Sequence, residues 1–525
     1  MSGYDDLSPR RVVPRWRDSR IVRGVAEDIP VPSHLPSRVT ARSKESLDTK
    51  LEIWRSNPSI GMAADVVGAA FLSGRFEPAK DAAKYLLGSG PAIPRELVSL
   101  AQLILRSREV NSRQAALTSP KDEIRKARRR LRDHFENPIL LVDTARHFSA
   151  LGQNDKALRF INAALHLAPN HRFVLRAATR LLVHVDDPDA ALRILRRAAT
   201  TPGDPWLVSA EISVAAVAGR KSNLLSRGTA ILKEGRFSPS QITELASAVA
   251  TSELSHGKTR VAKRLFADSL VAPNDNAMAQ VEWASRREGL GFDVDQKVRE
   301  VPLTFEAQFW VNYEHRDEIK SKLLVREWAI DEPFSSRPVV MGTFLGGIFG
   351  DYQLGLELGE AGLIANPDDE QIINNLAFIE ASQGNLAGAW RRIQRMANYK
   401  SPHFVANTGL IAYRMGEIEL GRQCYEAAIR LSKLARQSQT EALARLFFAR
   451  EAILAGDPQC AKIAQAAARV AKKHETTSVK VLWDKLQPQI ESGKQNRDIK
   501  TQMKIENFDD GEVRMQIGKI IADQR

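Results

Sequence analysis

An all-α fold, drawn out into a right-handed superhelical solenoid of about 10–12 helix-turn-helix units, is predicted by three observations on this sequence. At 525 residues the chain is too long for one ordinary core, so it is either several domains or an array whose units pack only on their neighbours. A hydrophobic share of 43% with only 6% aromatics, and an abundance of Ala, Leu and Arg, suits amphipathic helices. The third observation is recurrence. Two amphipathic stretches meet at Gly152, which is followed by Ala157, Ile161, Ala164 and Pro169, and the same spacing returns along the chain.

In chain order, residues 1–45 carry Pro9, Pro14, Pro30, Pro32 and Pro36 with many arginines and no helical period, which reads as a disordered basic arm. Within it Arg15, Trp16 and Arg17 form a candidate linear motif, because a tryptophan between arginines anchors in an apolar pocket while the cations find acids; docking back onto the solenoid is the equal alternative. An N-terminal array is expected over 46–275. Gly74 is followed by Ala79, Ala83, Leu86 and Pro91, and Asp186 replaces the glycine ahead of Ala191, Leu195 and Ala198. Gly257 precedes Ala262, Phe266 and Ser269, while 94–137 and 206–242 fit the template loosely. Residues 276–301 read as a break or hinge. A second array follows over 302–486, with Pro333 and Pro367 closing units and with Gly384, Gly416 and Gly456 as the template glycines within later units. The charged tail, 487–525, contains EVRMQIGKIIADQR, a candidate capping helix.

The spacing has a mechanical reading. Ala157 and Ala164 belong where helices cross closely, Phe148 and Ile161 fill the space between them, and Pro169 ends the second helix. A helix pair with this period resembles the tetratricopeptide repeat (TPR) over roughly residues 60–475. The resemblance implies a concave groove lined by the first helix of each pair. On that basis the partner-contacting candidates are Arg146, Phe173, Arg176, Arg180 and His184, then Asn374, Asn375, Phe378, Asn407, Tyr413, Arg414 and Arg450. The family's carboxylate clamp is not expected, because Val142 and Arg146 stand where its Lys and Asn belong.

Several chemistries are excluded. Gly257-Lys258-Thr259 lacks the upstream glycine of a phosphate-binding loop, Ser252 standing there instead. His315-Arg316-Asp317 has no accompanying kinase elements and falls at an inter-helix turn. Gly342, Gly346, Gly347 and Gly350, with Gly355, Gly359 and Gly362, suit close helix packing rather than a dinucleotide site. Cys424 and Cys460 are too few for a disulfide framework and read as small core residues in a reducing compartment. No metal, cofactor or catalytic set is expected, and no apolar run is long enough for a membrane span.

The expected function is therefore a non-catalytic, cytoplasmic scaffold or adaptor that binds an acidic or amphipathic protein or peptide, regulating a partner enzyme. The alternative partner is nucleic acid, most naturally RNA. It rests on ten Lys or Arg against three acids from Arg106 to Arg132, with Arg125, Arg128, Arg129 and Arg132 on one helix and a formal net charge of +13. A regulatory role in a multi-protein stress or defence assembly is compatible with either.

Overall fold

The computed structural model describes residues 13–17, 47–73, 76–89, 93, 95–106, 120–287, 289–397, 400–492 and 510–523. Among them there are helices and no strands. The chain forms two compact units, Arg17–Arg146 on one hand and Met1–Trp16 with His147–Arg525 on the other.

The smaller unit holds Leu47–Ser56, Ile60–Ser73, Lys80–Gly88, Arg95–Arg106 and Pro120–Asp133. Leu51, Val66, Leu86 and Ile104 fill its core, and Ala79 and Ala83 take buried small-residue positions as the template requires. Gly74 and Pro91 lie outside the described residues. In Pro120–Asp133, Ile124 and Ala127 are buried, while Phe135 lies beyond the helix end and is 70% exposed.

The larger unit is a succession of antiparallel helix pairs. Its turns follow a rule of two residues: one in the left-handed region, then an N-cap. Asp186 and Asp187, Arg316 and Asp317, Gly350 and Asp351, and Gly384 and Asn385 all obey it. Each cap side chain accepts a hydrogen bond from a backbone N–H of its helix's first turn, a contact worth about 1 kcal/mol. Asp186 and Arg316 therefore do at some strain what glycine does freely, and His315-Arg316-Asp317 is a repeat turn with its cap. The turns at Gly152 and Asp186, and at Gly350 and Gly384, are about 34 residues apart, the TPR period.

Small residues set the helix spacing. Ala157, Ile161 and Ala164 are buried as expected, and Phe148 stacks on Phe160 with centroids 5.4 Å apart. Ser336–Phe349 and Tyr352–Ala365 approach closely, a Cβ on Gly346 meeting the Gly355 Cα at 2.8 Å. The loosely patterned 206–242 region is also a pair, Pro205–Val217 and Leu225–Glu234, whose longer turn departs at Gly219. There the buried Glu211 accepts from Arg196, Ser222 and the Asn223 backbone, so polar anchoring replaces the repeat's apolar signature.

The expected break at 276–301 contains helix Asp275–Arg287, a loop and the short helix Lys297–Glu300 in place of a second long helix. Leu290, Val294 and Val298 pack with Phe266, Val281 and Val311, so one core runs through the segment. The tail helix, Asp510–Ala522, buries Val513, Ile517 and Ile521. It lies against Pro402–Arg414 and Ile418–Leu434, not on the last pair, and Arg514 reaches Glu417 at 2.8 Å.

Within this unit the array also meets itself at a distance in sequence. A side chain at Gly152, whose φ is +67°, would overlap the carbonyl oxygen of Ile364, whereas Gly257, at φ +75°, faces open space. Gly257→Ala should cost about 1–2 kcal/mol from the left-handed backbone alone. Gly152→Ala should cost at least about 1 kcal/mol more. Urea midpoints of the two variants compare them, and equal losses would remove the Ile364 contact as a constraint.

Candidate functional site

Two charged clusters in the larger unit gather most of the residues singled out from the sequence. The first begins on helix Arg172–His184, where Arg176, Arg180 and His184 recur every four residues and share a face. Arg176 donates to both carboxylate oxygens of Glu244, at 2.9 and 3.0 Å, and lies 5.1 Å from the Trp206 ring. Arg180 donates to Glu332 at 3.3 Å and sits over the Phe334 ring at 5.2 Å; the His184 ring stands edge-on to Phe334 at 5.5 Å. Burial, reinforced by Arg180, lowers the His184 pKa to about 4, so it is neutral at pH 7. Phe173 is half-buried at the start of the helix, and Arg146 is buried on Pro138–Ala150.

Residues 13–16 complete this cluster. They belong to no helix, and Trp16 is only 1% exposed, its ring 5.2 Å from that of Phe334. The Arg15 guanidinium meets Asp275 at 3.4 Å, Glu306 at 2.5 Å and also Glu332. Val13 joins the apolar cluster of Leu175, Leu182 and Leu207, and Arg17 is buried too. Of the linear motif, Arg15 and Trp16 thus lie beside the predicted groove residues Arg180 and His184.

The second cluster lies toward the C-terminus. Asn374, Asn375, Phe378, Asn407 and Tyr413, expected on the groove face, are all buried. Asn407 donates to the Asn374 backbone and side-chain oxygens at 2.8 Å, Asn375 donates to Thr343 at 3.1 Å, and the Tyr413 hydroxyl donates to Asp457 at 2.8 Å. These polar side chains tie successive first helices together. Phe378 packs on Phe447 with centroids 4.7 Å apart, and Arg450 caps both rings.

Arg414 and Arg450 converge on Glu451, donating at 2.5 and 2.6 Å. Burial opposes ionisation of Glu451, but the guanidinium groups of Arg450 and Arg414 outweigh it and hold the carboxyl below its ordinary range. Both arginines also line an open cavity of about 590 Å³, with Tyr352, Ser382, Gln383 and Lys485 among its walls. Lys485 donates to the Phe349 carbonyl at 2.7 Å. Two arginines and a lysine face two carboxylates, the buried Glu451 and, 3.6 Å from Lys485, Glu318, which leaves one positive charge in excess; the C-terminal ends of Ser336–Phe349, Glu370–Ser382 and Pro402–Arg414 offset part of it.

The basic residues Arg125, Arg128, Arg129 and Arg132 are exposed on Pro120–Asp133, where Arg125 pairs with Asp122 at 2.9 Å. Sequence reasoning missed the acids: Glu244, Asp275, Glu306, Glu332 and Glu451 carry no motif. Cys424 is buried and its thiol is pushed up to about 12 by desolvation, in keeping with a packing role. Among the described residues, no group of three His, Cys, Asp or Glu is placed to hold a metal ion, and no helix is long and apolar enough to cross a membrane.

No family model and no curated protein matches the sequence. Among solved structures the chain is similar to yeast Tom70, with 10% identity over 88% of this chain and 99% of that one, at a TM-score of 0.31. It is also similar to the APC/C hetero-tetramer Cut9-Hcn1, with 11% identity, coverage of 89% and 94%, and a TM-score of 0.38. These scores are too low to carry function across. On its own helix pairs and turn spacing, the chain is a TPR-like helical-repeat protein.

The Glu451 cluster makes a prediction about acid stability. Because the native carboxyl titrates below the unfolded value of 4.5, its contribution is fully present above that pH and is lost as pH falls through the native pKa. Glu451→Gln should cost about 3 kcal/mol near pH 7. The gap from wild type should narrow steadily below pH 4.5 in denaturant titrations; a gap independent of pH would contradict the assignment.

Proposed function

We propose that this chain is a non-catalytic scaffold for protein–protein interaction in the cytoplasm, and that the cavity lined by Arg414 and Arg450 receives an acidic side chain from an amphipathic segment of a partner. The observation that supports this reading is the charge of the cavity. Arg414, Arg450 and Lys485 reach it from three separate helices; the two arginines share the buried Glu451, and Lys485 lies 3.6 Å from Glu318, so the cations outnumber the acids by one. An incoming carboxylate would find donors already held in place by their bonds to Glu451 and Ser382, so little side-chain entropy is lost on binding. Tyr352, Leu454 and Leu482 supply the apolar surface that an amphipathic segment needs.

Lys485 is the residue to vary, since it is 39% exposed and its removal leaves the Glu451 cluster intact. A fluorescently labelled peptide alternating Glu and Leu should bind the full chain, more weakly as salt rises. Lys485→Glu should reduce its affinity roughly tenfold, about 1.4 kcal/mol. Equal binding by the two proteins at low salt would refute the assignment.

A further inference from the structure

The cluster around Arg15 has the organisation of a binding site together with its ligand. Its walls belong to the array: Asp275 and Glu306 lie in the first turns of their helices, Glu332 and Phe334 follow Glu318–Asp331, and Arg180 and His184 come from a helix far away in sequence. Each of those helices packs on neighbouring helices of the array. Residues 13–16 belong to no helix pair; they lie against side chains more than a hundred residues away.

The charge count shows what the site needs. Asp275, Glu306 and Glu332 face Arg180, Arg337 and Arg15: Arg337 pairs with Glu306, and Arg180 with Glu332. Removing Arg15 takes a guanidinium from all three carboxylates, and Glu306 and Glu332, only 1% and 2% exposed, cannot turn to water for compensation. Binding is specific to the pair. A planar guanidinium presents five N–H donors in a rigid fork, where an ammonium has three on a flexible stem, and the indole that follows fits the buried face of Phe334 beside His184. Pro14 holds its own φ and biases Val13 toward an extended backbone, so a Pro-Arg-Trp segment loses little entropy on docking.

We propose that Val13–Trp16 is a tethered ligand. It occupies a peptide-binding site whose specificity is an arginine followed by a tryptophan, and a partner protein carrying that pair in an extended segment takes its place. The site is distinct from the electropositive cavity of the preceding section in both position and preferred charge. A ligand on the same chain acts at an effective concentration on the order of 1 mM, so a tether that binds at about 10 μM as a free peptide holds a competing partner back roughly 100-fold until the partner's local concentration or additional contacts overcome it.

The test uses the full chain and a fluorescently labelled peptide copying residues 11–18. The double variant Arg15→Ala, Trp16→Ala empties the site and should bind the peptide roughly 100-fold more tightly than wild type. Adding Asp275→Asn and Glu332→Gln should abolish that gain, and Lys485→Glu should leave it unchanged, which separates this site from the C-terminal cavity. Arg15→Lys, a milder opening that keeps the charge, should give intermediate affinity and serves if the double variant does not fold. A folded opened variant that binds no peptide, or a wild type that binds as tightly as the opened variant, would overturn the proposal. So would a wild-type dimer that falls apart in the double variant, since the segment would then belong to a second copy.

Discussion

Much of this array depends on neutralising carboxylates that have almost no access to water. Glu211, Glu244, Glu306, Glu332, Glu451 and Asp457 are each at most 2% exposed, and an arginine reaches every one. A buried carboxylate without a partner is costly, and removing one member of such a pair typically costs 3–5 kcal/mol. The arginines come from neighbouring or distant repeats, with Arg196 closing on Glu211 and Arg176 on Glu244, so each pair also fixes how repeats stack. Apolar side chains pack along the same helices in several orientations; a forked guanidinium against a carboxylate is far more selective.

This explains why the fold was legible in the sequence and the sites only partly so. Repeat turns announce themselves locally: Gly152, Gly384 and even Asp186 stand at a fixed distance from the small residues behind them, and local spacing is what a sequence displays. The pair at Pro205–Val217 and Leu225–Glu234 escaped because Glu211 replaced apolar periodicity with hydrogen bonds to Arg196 and Ser222. Arg176, Arg180, Arg414 and Arg450 could be placed on the groove side, but not their partners. Glu244 and Glu332 lie 68 and 152 residues from the arginines they bind, and nothing in the chain between them records the meeting.

The same reasoning applies to Arg15 and Trp16. Their composition marked an anchor without naming its receptor, because the receptor is assembled from the corners of several repeats. Asp275, Glu306 and Glu332 are unremarkable as single residues at helix ends. They become a receptor only when stacked, and a receptor built from stacking is sensitive to every repeat that contributes to it. The Glu451 cluster differs: two of its three members, Arg450 and Glu451, are adjacent on one helix, so it persists as long as that helix and Pro402–Arg414 remain paired.

The contact of Gly152 with Ile364 changes how the larger unit should lose its structure. A solenoid with nearest-neighbour contacts alone frays from its ends, one repeat at a time, and extends under load like a spring. Here the Gly152 turn abuts the helix that carries Ile364, and Arg180 reaches Glu332, so the stretch between them is a closed loop of repeats. Opening any one repeat inside that loop strains the closing contacts along with its immediate neighbours. The stretch is thereby converted from a chain of semi-independent links into a single cooperative ring, resistant to pulling and prone to fail all at once.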